Sequence, residues 1–282
     1  MLPADAADIS PDQLMTVAVE AAKQAGALLL SYAKAGFRIE HKNPIDLVTD
    51  ADRAAERCIL ELIRSRFPSH RILAEEQGPT VPTPSRYQWI VDPLDGTTNF
   101  AHGFPFYSVS IGVERDGTGL IGVVFDPTRN ELFTAQAGAG ARLNGTTLAV
   151  SRIDHLDRAL LVTGFSYDIR ETANNNLDHF ARFALKAQGL RRTGSAALDL
   201  CYVASGRFDG FWEVRLSPWD MAAGTVILSE AGGIVTDLAG GTHSIYGKEL
   251  VASNGLIHPA MLEILRQGTP PLPDQDRTNR SR

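Results

Sequence analysis

The stretch Asp92-Pro93-Leu94-Asp95-Gly96-Thr97-Thr98-Asn99-Phe100 decides how the chain is read, because it stands directly after the apolar run Trp89-Ile90-Val91. An apolar strand that runs into a proline-fixed turn puts two aspartates three positions apart, where both can turn toward one point. Gly96 and Thr97 can then present bare backbone N–H groups to a phosphate oxygen. The plainer alternative is an Asp-rich turn in which Asp95 or Thr97 caps a helix.

Upstream of this turn the pattern is helical. Leu14, Val17, Ala21, Ala25, Leu28 and Leu29 recur at spacings of three and four across Gln13 to Lys34. A second helix is expected from Ala51, with Ala55, Cys58, Ile59, Leu62 and Ile63 on one side, ending before Pro68. Arg71 to Ala74 reads as a strand, and Pro79, Pro82 and Pro84 mark an exposed loop. Downstream, Tyr107 to Val113 and Leu120 to Phe125 flank Arg115-Asp116-Gly117-Thr118-Gly119 as a hairpin, and Glu131 to Thr134 and Asn144-Gly145 extend an antiparallel meander. The second half alternates. Strands are expected at Ala159 to Thr163, Gly210 to Glu213 and Gly233 to Asp237, and helices over Asn176 to Lys186, Ser195 to Ala204 and Met221 to Ala231. Such alternation implies α/β layers, with sheets sandwiched by helices.

Composition narrows the function classes. The 282 residues, 44% apolar and 21% charged, suit a soluble globular protein with ample core. Lys plus Arg is 27 against 33 for Asp plus Glu, and the net charge of −6 argues against nucleic acid or an anionic membrane as a direct partner. Cys58 and Cys201 lie in apolar helical patterns and read as buried thiols of a reducing compartment. The N-terminus carries Asp5, Asp8 and Asp12 rather than a basic leader, and no apolar run approaches 18 residues, so a cytoplasmic protein is expected. The segment 269–282, after the prolines at 270, 271 and 273, is expected to be a tail without a core of its own.

Carboxylates at element ends recur in three segments: Glu75-Glu76 after a strand, Asp92 and Asp95, and Asp220 after Trp219 at the mouth of a helix. If they converge, each close pair repels by about 4 kcal/mol at 4 Å and an effective dielectric of about 20, so the cluster demands cations. Oxygen ligands without His or Cys favour Mg²⁺, which commonly bridges carboxylates to a substrate phosphate. Taken singly, Asp220 reads equally as a helix N-cap before Met221, and Asp52 as a capping partner of Thr49. Ser195, in Gly194-Ser195-Ala196-Ala197, is a small-residue helix start rather than a nucleophile. The seven histidines lack metal-ligand spacing, and Arg191 and Arg192 read by default as a solvated face, with contact to a substrate or another subunit as the alternative.

Together and in order, Asp46-Leu47-Val48-Thr49-x-x-Asp52, Ala74-Glu75-Glu76, Asp92 to Phe100, Gly194 to Ala197, and Trp219-Asp220-x-Ala222-Ala223-Gly224 followed by Glu230-Ala231-Gly232-Gly233 resemble the inositol monophosphatase family of Mg²⁺-dependent, lithium-sensitive phosphatases. The resemblance spans about residues 13–266. It implies a five-layer α-β-α-β-α sandwich, with an N-terminal lobe over 1–150 carrying most metal ligands. A C-terminal lobe over 151–268 would carry Asp220 and the substrate contacts.

Carried over by position, the resemblance implies that Glu75, Asp92, the Leu94 carbonyl, Asp95 and Asp220 hold two or three Mg²⁺. Gly96 and Thr97 would receive the phosphate, while Thr97, held by Asp52, and Glu75 position the attacking water. Asp95, Gly194, Ser195, Ala196 and Glu213 would border a phosphorylated polyol. Asn99, Phe100 and Glu213 favour an inositol phosphatase over the family's nucleotide phosphatases. Fructose-1,6-bisphosphatase, histidinol phosphatase or a broad sugar phosphatase remain alternatives, as does a regulatory protein of this fold. Inhibition by Li⁺ and a homodimer are expected from the resemblance alone. The basic residue near the first loop is Lys42, beside His41.

Overall fold

The computed structural model describes residues 9–41, 47–79, 84–172 and 175–267. Lys42, Asp46, Pro82 and the expected tail lie outside the described residues.

The chain begins with α1 (Pro11–Ala35), β1 (Ile39–His41), β2 (Leu47–Thr49), α2 (Asp50–Arg66), β3 (Arg71–Ala74), β4 (Gly78–Pro79), β5 (Tyr87–Asp95) and α3 (Thr97–Ala101). Then come β6 (Ser108–Arg115), β7 (Thr118–Asp126), β8 (Glu131–Gln136), β9 (Gly140–Leu143) and β10 (Thr146–Thr147). A 3-10 turn at Leu156–Arg158 leads into β11 (Leu160–Thr163), α4 (Leu177–Ala184), β12 (Gly189–Arg191), α5 (Ala196–Ala204) and β13 (Gly210–Val214). The last elements are α6 (Pro218–Glu230), β14 (Ile234–Thr236), β15 (Glu249–Ser253) and α7 (His258–Arg266).

Local chemistry sets the boundaries. Ser10 caps α1 by accepting from the Gln13 N–H at 3.3 Å, and the Gln13 side chain accepts the Ser10 N–H at 3.2 Å. The β6–β7 hairpin turns on Asp116 and Gly117, both at positive φ (52° and 78°), which matches the twist of the flanking strands.

Two sheets form. Eight strands pair in the order β10-β9-β8-β7-β6-β5-β3-β4, antiparallel except for β3 with β5. Five pair as β12-β11-β13-β15-β14, with β11 parallel to both neighbours. Helices α1 and α2 pack on one face of the larger sheet, and α5 and α6 lie between the sheets. Helices α7 and α4 cover the far side of the smaller sheet. The layers are therefore α-β-α-β-α, as expected.

Three apolar clusters fill the gaps. One joins α1 and α2 to the large sheet through Leu14, Leu29, Ile59, Trp89 and Ile111. The second surrounds α5 and α6 with Phe133, Leu200, Phe211 and Ile227, and the third seats Trp212 against Phe183, Met261 and Ile264.

Three expectations need correction. Helix α6 starts at Pro218, not Met221, because Ser217 and Pro218 supply the start signal and Asp220 falls in its first turn rather than at the N-cap. Cys201 is buried, but Cys58 is only partly so, at the edge of the α2 apolar face. Finally, α1 is long and apolar enough to cross a membrane by length and hydropathy. Its apolar face is nevertheless committed to the core, where Leu14, Ala18, Ala21, Ala25 and Leu29 are fully buried.

Candidate active site

Strand β5 delivers the first two carboxylates. Its pairing with β6 shifts register between Asp92 and Asp95, and this irregularity lets side chains three apart face the same way. Asp92 is fixed by accepting the Leu94 N–H at 2.9 Å. Gly96 ends the turn at φ 98°, and a Cβ there would stand 3.1 Å from the Phe106 carbonyl and 3.2 Å from that of Gly194. Only glycine fits.

Asp95 crosses to the first turn of α5, where it accepts the Ser195 hydroxyl at 2.6 Å and the Ala197 N–H at 2.8 Å. A carboxylate thereby satisfies N–H groups that a helix start leaves open. Asp220 enters from the first turn of α6 and accepts the Ser217 N–H at 2.6 Å. A bond from the Ser110 hydroxyl to the Trp219 carbonyl, 3.3 Å, ties this turn to β6.

One oxygen from each of Asp92, Asp95 and Asp220 lies within 4.8 Å of the other two. No Arg or Lys ion-pairs with them among the described residues. Burial pushes the Asp92 carboxyl well above the ordinary range, and the charges of Glu75, Asp95 and Asp220 push it further. Asp220 is raised likewise, by burial first and then by Asp95. Burial raises Asp95 to about 6, against the opposing effect of the bonds it accepts from Ser195 and the first turn of α5. Three buried carboxylates that resist ionisation together are a donor set for a hard divalent cation, and the absence of His or Cys from the trio fits Mg²⁺.

The trio lies in a cleft of 320 Å³ between the ends of the two sheets. Glu75, Leu94, Gly96 and Thr97 line it from the large sheet, and Gly194, Ser195, Ala196 and Glu213 line it from the other side. The Thr97 hydroxyl lies 3.0 Å from Asp52 and 3.1 Å from the Leu94 carbonyl, so one proton serves two acceptors. Asp52 is fully buried and also accepts the Thr49 N–H at 2.9 Å. Asp52 therefore completes the capping box of α2 and, with its other oxygen, accepts the Thr97 hydroxyl of the cleft. Burial raises its carboxyl to about 6. Glu213 comes from β13, and burial raises it to about 8 against the partial offset of the Arg192 charge.

All the sequence-expected site residues thus meet in one cleft or, for Asp52, behind it. Sequence reasoning missed Asp199 and the Gly164 to Tyr167 wall, and it named Arg192 and Asn99 without fixing their place. Asp199 lines the cleft, is buried and accepts from Thr193. Its spacing of four from Ser195 in an otherwise apolar helix was a readable signal. Arg191 and Arg192 are both exposed, but Arg192, just past the end of β12, lines the cleft, while Arg191 bonds the Leu190 carbonyl. The segment Gly164 to Tyr167 forms a further wall, and Asp168, the residue after it, ion-pairs with Arg215, the residue after β13. Asn99, quoted as a motif residue, is a brace: it donates to the Phe106 carbonyl at 2.7 Å and to the Thr193 carbonyl at 2.8 Å.

Fold and site define a layered α/β protein with an acidic, cation-demanding cleft between its sheets. Residues 10–269 match the inositol monophosphatase family, and the chain belongs to it. It is 46% identical over 260 residues to the inositol-1-monophosphatase of Synechocystis sp., covering 91% of each chain. It is 44% identical to the Nus factor SuhB of Escherichia coli, covering 90% of this chain and 96% of that one. Among solved structures, the inositol monophosphatase from Anabaena (Nostoc) sp. PCC 7120 superposes with a TM-score of 0.84 at 45% identity, covering 93% of this chain and 98% of that one. The protein is a phosphatase of this family.

Proposed function

We propose that the chain is an inositol-1-monophosphatase, hydrolysing myo-inositol monophosphate to myo-inositol and phosphate. The carrying observation is the convergence of Asp92, Asp95 and Asp220 within 4.8 Å, facing Glu213 across one cleft. In this reading Glu75, Asp92, Asp95, Asp220 and the Leu94 carbonyl hold Mg²⁺. The bound cations would neutralise phosphate oxygens and make a water more acidic. Gly96 and Thr97 receive the phosphate through backbone N–H groups. Thr97, oriented by Asp52, and Glu75 align the attacking water. Glu213 accepts hydroxyls of the polyol, with Gly194, Ser195 and Ala196 as its wall. The half of the chain over 1–150 would work as the metal-binding lobe and 151–268 as the polyol-binding lobe. Li⁺ would inhibit by competing for a site built for small hard cations, and the protein would act as a cytoplasmic homodimer.

The test is Mg²⁺-dependent phosphate release from inositol-1-phosphate, fructose-1,6-bisphosphate, histidinol phosphate and 3'-phosphoadenosine 5'-phosphate, compared by kcat/KM. Preference for inositol-1-phosphate is expected. A flat or fructose-led profile would keep the hydrolase and replace the substrate. A second reading has one observation in its favour, the 44% identity to a protein named Nus factor SuhB. Absence of turnover on all four compounds would bring a regulatory role of that kind forward.

A further inference from the structure

Asn176 stands just before α4 at φ 68°, a left-handed conformation that asparagine tolerates better than most residues. Its side chain does not cap the helix. Asn175 takes that task, accepting the Leu177 N–H at 3.2 Å. The Asn176 amide, 3% exposed, instead reaches the ends of β11 and β13. Its Nδ2 donates to the Thr163 hydroxyl and to the Gly164 carbonyl, both at 2.8 Å, and its Oδ1 accepts the Trp212 indole N–H at 2.7 Å. The Thr163 hydroxyl passes the chain on by donating to the Trp212 carbonyl at 2.5 Å. Because an indole nitrogen can only donate, the amide has one workable orientation, and every polar atom in the chain has its partner.

The two backbone points fixed in this way are those that set Glu213. Trp212 is its neighbour in β13, paired with Thr163 of β11. Gly164 is the surface on which its carboxylate rests: a Cβ there would stand 2.2 Å from both Glu213 oxygens. The Glu213 carboxylate therefore has its Cα end held through the Trp212 carbonyl and its oxygen end held by the Gly164 wall. Both supports lead back to one buried amide.

We propose that Asn176 is a positioning residue for the leaving-group side of the cleft, fixing Gly164 and Trp212 so that Glu213 is held where a polyol hydroxyl meets it. This rests on the assignment of Glu213 to the polyol. Asn176 touches neither phosphate nor cations in this scheme, so its loss weakens recognition of the polyol and leaves phosphoryl chemistry alone.

The test compares Asn176→Asp, which replaces two donors with an acceptor against the Gly164 carbonyl, with Thr163→Val and Thr163→Ser. Each is assayed with Mg²⁺ on inositol-1-phosphate and on p-nitrophenyl phosphate, whose leaving group has no polyol. For Asn176→Asp and Thr163→Val, KM for inositol-1-phosphate is expected to rise about tenfold with kcat within about twofold. Turnover of p-nitrophenyl phosphate should be unchanged, and Thr163→Ser should restore the wild-type KM. Equal losses on both substrates, or a fall in kcat alone, would overturn the proposal and leave Asn176 a structural residue. If Asn176→Asp does not fold, the Thr163 pair decides by the same criterion. A wild type that shows no preference for inositol-1-phosphate over p-nitrophenyl phosphate would overturn the substrate assignment and this proposal with it, and that result is visible before any variant is made.

Discussion

Replacing Glu213 by glutamine keeps the shape of a buried side chain and removes its charge, so the variant isolates what the site costs the fold. The carboxyl titrates at about 8 in the folded protein against an ordinary value of 4.5. An acid whose folded value is raised contributes stability that is present at low pH and lost as pH rises through the window between the two values. Between pH 4.5 and 8 the unfolded chain has released this proton and the folded chain still holds it. At about 1.4 kcal/mol per unit, the wild type loses roughly 5 kcal/mol from this one group by the time it is ionised in both states, and roughly 3 kcal/mol of that by pH 7. The glutamine variant loses none of it. Urea denaturation of the metal-free proteins, from pH 4.5 to 9, should therefore show variant and wild type nearly equal at the acid end. The variant should pull ahead by several kcal/mol at the alkaline end. A difference that stays flat across the range, or a wild type that gains on the variant above pH 8, would refute the claim that burial rather than pairing governs Glu213.

The remaining expectations concern the carboxylate trio and its surroundings. Asp95→Asn keeps the acceptor for Ser195 and Ala197 but loses the charge, so Mg²⁺-dependent phosphate release should fall by more than the roughly 10- to 100-fold cost of losing an outer-shell partner, with an unchanged far-UV spectrum. Mg²⁺ at about 100 times its Kd should stabilise the wild type by about 2.7 kcal/mol, read as a rise in Tm, and Asp92→Asn should abolish the rise. Gly164→Ala puts a methyl group onto the Glu213 oxygens and should raise KM for inositol-1-phosphate, measured by initial rates. Millimolar Li⁺ should inhibit turnover, and an insensitive enzyme would remove that part of the proposed function.

Much of this was legible in the sequence because the signals are local. The turn after β5, the Thr49–Asp52 pair and the small-residue start of α5 each announce themselves within a few residues, and all fall at element ends, where side chains converge. Strand β15 was not legible: it lies inside the smaller sheet between β13 and β14, with helices on both faces, so Leu250, Val251 and Ala252 are all buried and the alternation that marks a half-exposed strand is gone. The start of α6 was missed because Pro218 and Trp219 carry no helical periodicity. Arg192 stays on a solvated face by default and Asp199 is passed over for a different reason. Each is a single charge in an unremarkable local context, and only the approach of α5 to β5 makes them part of a cleft.

The same geometry explains why the site sits where two sheets meet rather than on one element. Asp92, Asp95 and Asp220 come from β5 and α6, and Asp95 is bonded in turn to α5, so the trio forms only when the layers have packed. Mutual repulsion and burial both work against that packing, and the large apolar cluster around α5 and α6 must overcome them. Cations that bind only the assembled trio add to the folded state alone. In the proposed reading, the residues that would bind the cations are thus the residues that most oppose folding without them. Asp52, Asp199 and Glu213 extend the same opposition beyond the trio, since burial raises each of them. A site of this composition depends on its surroundings to offset burial and repulsion, and this is the physical reason to look for positioning residues, Asn176 among them, in the packed elements behind the cleft walls.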